Sequence, residues 1–377
     1  MNEGLWVVVR ASKSICERDD NKYLWVIMNK LGIIGALAAV ALMSSPTWAG
    51  EQAPNTDDQA STVATGPAIT RVATSSTAGL ISGRVSAAVG AIAAAPLGAK
   101  SFYAGPGMQV GEGKSAGGGE RRIGIWTNAA YSNIEDDLSS TAYDGNVFSI
   151  LVGADYQVSD RFLVGVAIGD ENIDVDTTFN RGTVEVDGFT IAPYAGYVIN
   201  RYFTVDVSGG YNDSSTDLTR TSPISGSIIT GEMDSSRWFV GGNLNAHYQV
   251  NRISLLGRAG LLYATETQEA FTESDTTFNP ERDIDLGQLR IGAQIAYRMG
   301  KVQPYVTGTF EYDFNREKTV VAAGQAQPAN ARSGFGVGGG ARFALSDRVS
   351  GGIEGSTHVG RDDFSSTTVS GNVRIKF

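Results

Sequence analysis

The sequence predicts an all-β fold: an antiparallel transmembrane β-barrel of about twelve strands with an α-helix ahead of it. Three observations carry this. An export-type segment lies near the N-terminus, short polar turns recur along residues 121–377, and the stretches between them alternate apolar and polar side chains up to Phe377.

Composition narrows the class. Glycine takes 47 of 377 positions and proline 10, which suits strands that curve and pack closely and excludes collagen. The lone Cys16 excludes an intramolecular disulfide framework. A net charge of −10 repels polyanions, so nucleic acid is not expected as a partner.

Residues 1–49 read as an upstream extension plus a cleaved signal peptide. The apolar run 31–43 follows Lys30 and leads through small residues to Ala49, which gives the charged start, apolar core and cleavage site of an export signal. Met28 stands just before it, so residues 1–27 are either a start assigned too far upstream or a lengthened signal; an uncleaved anchor is the alternative. The run falls short of the roughly 20 apolar residues of a spanning helix. No other stretch is apolar enough, so membrane residence requires a barrel.

Residues 50–77, rich in Ala, Thr, Gln, Asp and Ser without period, read as a disordered short passenger or linker. In 78–95, Ile81, Val85, Ala88 and Ile92 recur at helical spacing, Thr77 can cap the start and Pro96 ends the run. Residues 96–120 form a Gly-rich linker.

The turns Ser159-Asp160-Arg161, Asn200-Arg201, Asn251-Arg252, Gly300-Lys301 and Ser346-Asp347-Arg348 recur about every 40–50 residues, room for two strands and one longer loop. The polar stretches 135–145, 174–183, 212–235, 264–285, 315–332 and 360–367 are those loops. Strands are expected near 121–134, 146–158, 162–174, 184–199, 203–213, 235–250, 253–266, 286–299, 302–315, 332–345, 349–359 and 367–377. Their faces separate cleanly. Leu289, Ile291, Ile295 and Tyr297 oppose Gln288, Arg290 and Gln294; Trp238, Leu244 and Tyr248 oppose Asn243, Asn245 and His247; Val306, Phe310 and Tyr312 oppose Thr307, Thr309 and Glu311; Leu255, Leu261 and Tyr263 oppose Arg258. Charges in mid-strand and aromatic residues at the ends of the apolar face favour a polar lumen inside lipid over a soluble sandwich.

The chain resembles the autotransporter β-domain family over about 121–377 and the helix before it. The residues are Gly124-Ile125-Trp126, Asp187 through Tyr197 (DGFTIAPYAGY), Gln288-Leu289-Arg290-Ile291-Gly292, Gln303-Pro304-Tyr305-Val306 and the closing Val373-Arg374-Ile375-Lys376-Phe377. The resemblance implies a monomeric twelve-stranded barrel in the Gram-negative outer membrane, among lipid and lipopolysaccharide, reached with periplasmic chaperones and inserted by the barrel-assembly machinery. It also implies that the helix 78–95 threads the pore, where Arg84 can meet an acidic wall residue such as Glu311. Val373, Ile375 and Phe377 share one face of the last strand and form the expected assembly signal, an unpaired edge open to strand addition. The family's long passenger has no counterpart here beyond 50–77, and no Asn-Asn pair supports in-barrel self-cleavage. A translocator with a very short or vestigial passenger is the first reading; a structural barrel, adhesin or small channel is the second.

Chemistry is expected to be absent. Gly107 to Ser115 leaves five residues where a phosphate loop needs four. Gly334 to Gly340 carries no following helix and reads as wall glycine packed close to the pore helix. Ser356 and His358 resemble a phospholipase dyad but point into the lumen with Glu354, away from lipid. Two histidines make a His/Cys metal cluster unworkable, and Asp136, Asp137, Asp362 and Asp363 read as solvated loop acids. No enzyme activity, cofactor or metal is expected.

Overall fold

The computed structural model describes residues 60–94, 122–138, 141–316, 331–346, 348–361 and 364–377. The export segment, Cys16, residues 50–59, the 96–120 linker with Gly107 to Ser115, and Asp362 and Asp363 lie outside the described residues.

One helix, α1 (Ser61–Ala94), precedes fourteen strands: β1 (Ile123–Asp136), β2 (Tyr143–Gln157), β3 (Phe162–Thr177), β4 (Gly182–Val198), β5 (Phe203–Thr221), β6 (Ile228–Val250), β7 (Ile253–Gln268), β8 (Phe271–Thr272), β9 (Phe278–Asn279), β10 (Arg282–Tyr297), β11 (Val302–Arg316), β12 (Ser333–Ala344), β13 (Val349–Arg361) and β14 (Phe364–Lys376). Strands β8 and β9 pair only with each other; the remaining twelve close into one antiparallel barrel. Closure runs from Gly124 opposite Lys376 to Asp136 opposite Phe364, and the Phe377 amide donates to the Ile123 carbonyl at 3.0 Å. The last strand therefore has no free edge. The edge expected from sequence exists only before closure, because a barrel satisfies every strand on both sides.

All five predicted short turns connect consecutive strands. Their side chains explain why. Asn200 Oδ1 accepts from the amides of Tyr202 and Phe203, Asn251 adopts φ 52° and Gly300 φ 63°, and Ser346 Oγ accepts from the amides of Arg348 and Val349.

The outward face carries two aromatic girdles. Tyr156, Phe162, Tyr197, Phe203, Tyr248 and Tyr297 are exposed near the turn end; Tyr131, Phe148, Phe189, Trp238, Tyr263 and Tyr312 form the second ring. Girdle partners on one strand, such as Phe189 and Tyr197, stand eight residues apart, about 26 Å along the strand and about 20 Å in height once the strand tilt is allowed for, close to the height of an outer-membrane apolar band.

Above the second girdle the pattern inverts. On β3, Val166 and Ile168 face outward lower down, whereas higher up Ile173 and Val175 are buried and Asp170, Asp174 and Asp176 are exposed. Across neighbouring strands Asp174 faces Glu185, Glu185 faces Asp217 and Asp217 faces Glu232. Directly opposed like charges are destabilising in a sheet, so this ladder belongs in water rather than lipid. It belongs to the long strands β3 to β6, up to 23 residues in β6, while β12 to β14 have 12 or 13. One side of the barrel is a tall wall and the other a low one. The stretches 174–183 and 212–235, expected as loops, are largely strand because polar outward residues mask the lipid-type alternation there.

The helix starts 17 residues earlier than expected, at Ser61 rather than 78, and takes up most of the segment expected to be disordered. Its first half is mostly Thr, Ser, Ala and Gly, with Val63, Pro67, Ile69, Arg71 and Val72 interspersed and no long apolar stripe; Ile69 and Ala73 pack with Ile173, Val184 and Leu218, while Ser61 and Thr70 meet polar wall residues.

Candidate functional site

The lumen is the site, and α1 occupies it. At about 1.5 Å per residue its 34 residues reach about 50 Å, longer than a hydrocarbon core. Its lower half buries the expected stripe of Ile81, Val85, Ala88 and Ile92, with Val89, among Leu151, Leu163, Ala192, Val198 and Phe239. Contact is closest at Gly196 of β4, where an added Cβ would stand 2.4 Å from Val89 Cγ1. Beside it, Trp126 Nε1 donates to the Tyr194 hydroxyl at 2.7 Å, and Trp126 lies so close over Gly153 that a Cβ there would meet its ring at 2.4 Å.

Polar contacts fix the helix at successive heights. At the loop end Ser61 Oγ accepts from Asn180 Nδ2 at 2.9 Å and lies 3.2 Å from the Thr177 hydroxyl, and Arg282 donates to the Thr62 carbonyl at 3.0 Å. Thr70 Oγ1 donates to Glu266 at 3.0 Å; Glu266 also faces Arg237 (3.5 Å), which is bonded to Glu171 at 2.6 Å. Arg290 reaches the Ser75 carbonyl at 3.5 Å. Near the turn end Arg84 pairs with Asp155, whose other oxygen accepts from Arg374 at 2.7 Å. Gly90 lies against His247, which shares a 2.9 Å hydrogen bond with Thr204. The helix N-terminus is thus at the mouth formed by the long strands, and its C-terminal end is beside the short turns.

The predicted lumen residues do face inward, but their partners differ. Arg84 meets Asp155 and not Glu311. Glu311 sits at the height of Ser75 and takes Arg361 at 3.4 Å, His358 at 3.5 Å and Arg290 at 3.8 Å. The reason is register: with α1 starting at Ser61, Arg84 falls well below the Glu311 level. Arg258 Nε donates to Asn245 Oδ1 at 2.9 Å, and Asn245 donates to Asp206 at 2.6 Å. The glycines of β12 do not receive the helix, which packs on β4 and β5. They accommodate neighbouring side chains instead, Arg361 over Gly334 and Tyr305 over Gly340. Glu354 accepts from the Tyr305 hydroxyl at 2.6 Å, so it is held away from a Ser356–His358 relay. Val373 and Ile375 are exposed on the outer face of β14, and Phe377 is exposed just past its end. Sequence reasoning missed Asp155, Arg374 and the Arg237–Glu171–Glu266 cluster; inward parity, extended from four strands to all twelve, selects each of them.

The profile of the autotransporter β-domain family matches residues 125–356, more than half of the chain. The chain belongs to the autotransporter β-domain family. That membership makes it a translocator-type barrel of the Gram-negative outer membrane. Solved autotransporter barrels share the fold. The translocator domain of autotransporter NalP from Neisseria meningitidis superposes with a TM-score of 0.60 at 12% identity, covering 68% of this chain and 89% of that one. The β-domain of the Bordetella autotransporter BrkA gives 0.56 at 16% identity, covering 68% and 100%. The transport unit of autotransporter AIDA-I from Escherichia coli gives 0.51 at 12% identity, covering 71% and 93%. No curated protein matches the chain.

Proposed function

We propose that this autotransporter barrel delivers the residues ahead of Ser61 to the cell surface, after a signal peptide ending at Ala49 is removed. The observation that carries this reading is the polarity of α1. Its first residue is bound at the long-strand mouth by Asn180 and its last turns lie beside the short turns, so the chain upstream of α1 departs on the loop side. Because α1 uses residues 61–77, the exported piece is residues 50–60, shorter than the 50–77 first expected. In this reading Val373, Ile375 and Phe377 present the closing strand to the assembly machinery before β1 pairs with it, periplasmic chaperones keep the unpaired strands apart, and the barrel works as a monomer among lipid and lipopolysaccharide. No catalytic step or cofactor is assigned.

An epitope inserted after Asn55, probed by antibody and protease on intact cells, tests the export. Surface labelling that is lost on protease shaving is expected. An epitope confined to the periplasm overturns the reading in favour of a barrel that exports nothing, which the shortness of 50–60 would then explain.

A further inference from the structure

The helix leaves part of the lumen open. It leans on β4 and β5, and a cavity of about 430 Å³ runs along the facing wall. Inward residues of β14 from Ser366 to Arg374 and of β13 from Ser350 to His358 line it, so it spans most of the barrel height. Among the described residues its lining has seven arginines, two glutamates and neither Asp nor Lys. The arginines are stacked by height. Arg84 and Arg374 clasp Asp155 near the turn end, Arg290 sits at Ser75, and Arg71 and Arg361 stand at the loop end. Ser75 and Arg84 lie about 13 Å apart along α1. Three buried nitrogens of this ladder, Arg84 Nε, Arg374 Nε and Arg290 Nη2, have no hydrogen-bond acceptor. Asp155, Asp206 and Asp313 lie behind the lining and offset part of its charge, yet arginines still outnumber carboxylates. This is the reverse of the whole chain, which is net acidic.

We propose that ion flow past the helix is carried by small inorganic anions, of which chloride is the probe. An excess of arginine charge along a low-dielectric pore concentrates anions and excludes cations. At the loop end of this wall Arg71 stacks on Phe364 at 4.4 Å and Arg361 is held by Asp313 at 2.8 Å, so these side chains partly fill the space beside the helix. Conductance is therefore small. The proposal stands whether or not a passenger is exported.

The test is the reversal potential of the full chain, refolded with α1 in place, in a phosphatidylcholine planar bilayer under a KCl gradient. Chloride is expected to be preferred over potassium by at least about twofold. The double variant Arg290→Gln/Arg374→Gln should move the potential toward potassium while its gel band stays heat-modifiable. If that variant does not refold, Arg342→Gln, on the same wall, should give a smaller shift in the same direction. Asp174→Asn, on the outer face, should leave the potential unchanged. A potential at zero or on the potassium side, no conductance, a folded variant with undiminished chloride preference, or an equal shift from Asp174→Asn overturns the proposal.

Discussion

Asp155 shows what a single lumen residue does. Its carboxylate is 2% exposed and joins the helix, through Arg84, to the closing strand, through Arg374. Asp155→Ala leaves two buried guanidinium groups without their shared anion, and breaking such a cluster costs about 3–5 kcal/mol. Denaturant unfolding of the refolded barrel should register that loss, with Asp155→Asn recovering part of it. Steric limits act at the same scale. Gly153→Ala places a methyl within 2.4 Å of the Trp126 ring and should destabilise the barrel by about 1–3 kcal/mol. Some of this was legible in sequence. Parity alone puts Arg290, Glu311 and Arg258 inside. Pairings were not legible, because they depend on the height at which α1 starts, and the Thr- and Ser-rich residues 61–77 carry no period that reveals it.

Elements separate into those whose pattern follows one solvent and those that cross between two. The five short turns follow from their Asn, Gly and Ser chemistry and were fully readable. At Gly300, with φ 63°, Gly300→Val should slow refolding and cost about 1–2 kcal/mol. The long strands β3 to β6 were read short, since their outward residues turn from Val and Ile to Asp and Glu where lipid ends. The β8–β9 ribbon stands in the same aqueous zone. There Glu273 holds Arg220 through two 2.9 Å bonds, and the Thr277 amide keeps the Asp275 carboxyl below its ordinary range. A depressed aspartate stabilises above its unfolded pKa of about 3.9 and loses that contribution as pH falls through the folded value. Acidification toward pH 3 should therefore loosen this ribbon first, read as increased amide exchange at Glu273 and Thr277. For α1, Gly196→Leu collides with Val85 and Val89 and should unseat the helix, raising single-channel conductance toward that of a barrel lacking residues 61–94.

At the scale of the whole molecule, closure is the property to measure. The barrel has no edge among its twelve strands, so unheated protein should migrate faster than boiled protein in detergent gels; identical migration would contradict a closed barrel. Removing Phe377 tests a different stage. The closed form loses one terminal amide bond to Ile123 and little stability, whereas the open form loses the tip of its presented strand. Delivery to the outer membrane in cells should drop while the melting behaviour of refolded protein barely changes. Twelve strands and their order were readable because they rest on a repeated signal. The unequal wall heights were not, since no single strand discloses how far its neighbours rise. Those heights give the exit a direction. Ser61 is moored on the high side by Asn180 and Thr177, so under the proposed export the opening would act as a spout and not as a hole, with one flank of the molecule standing above the other.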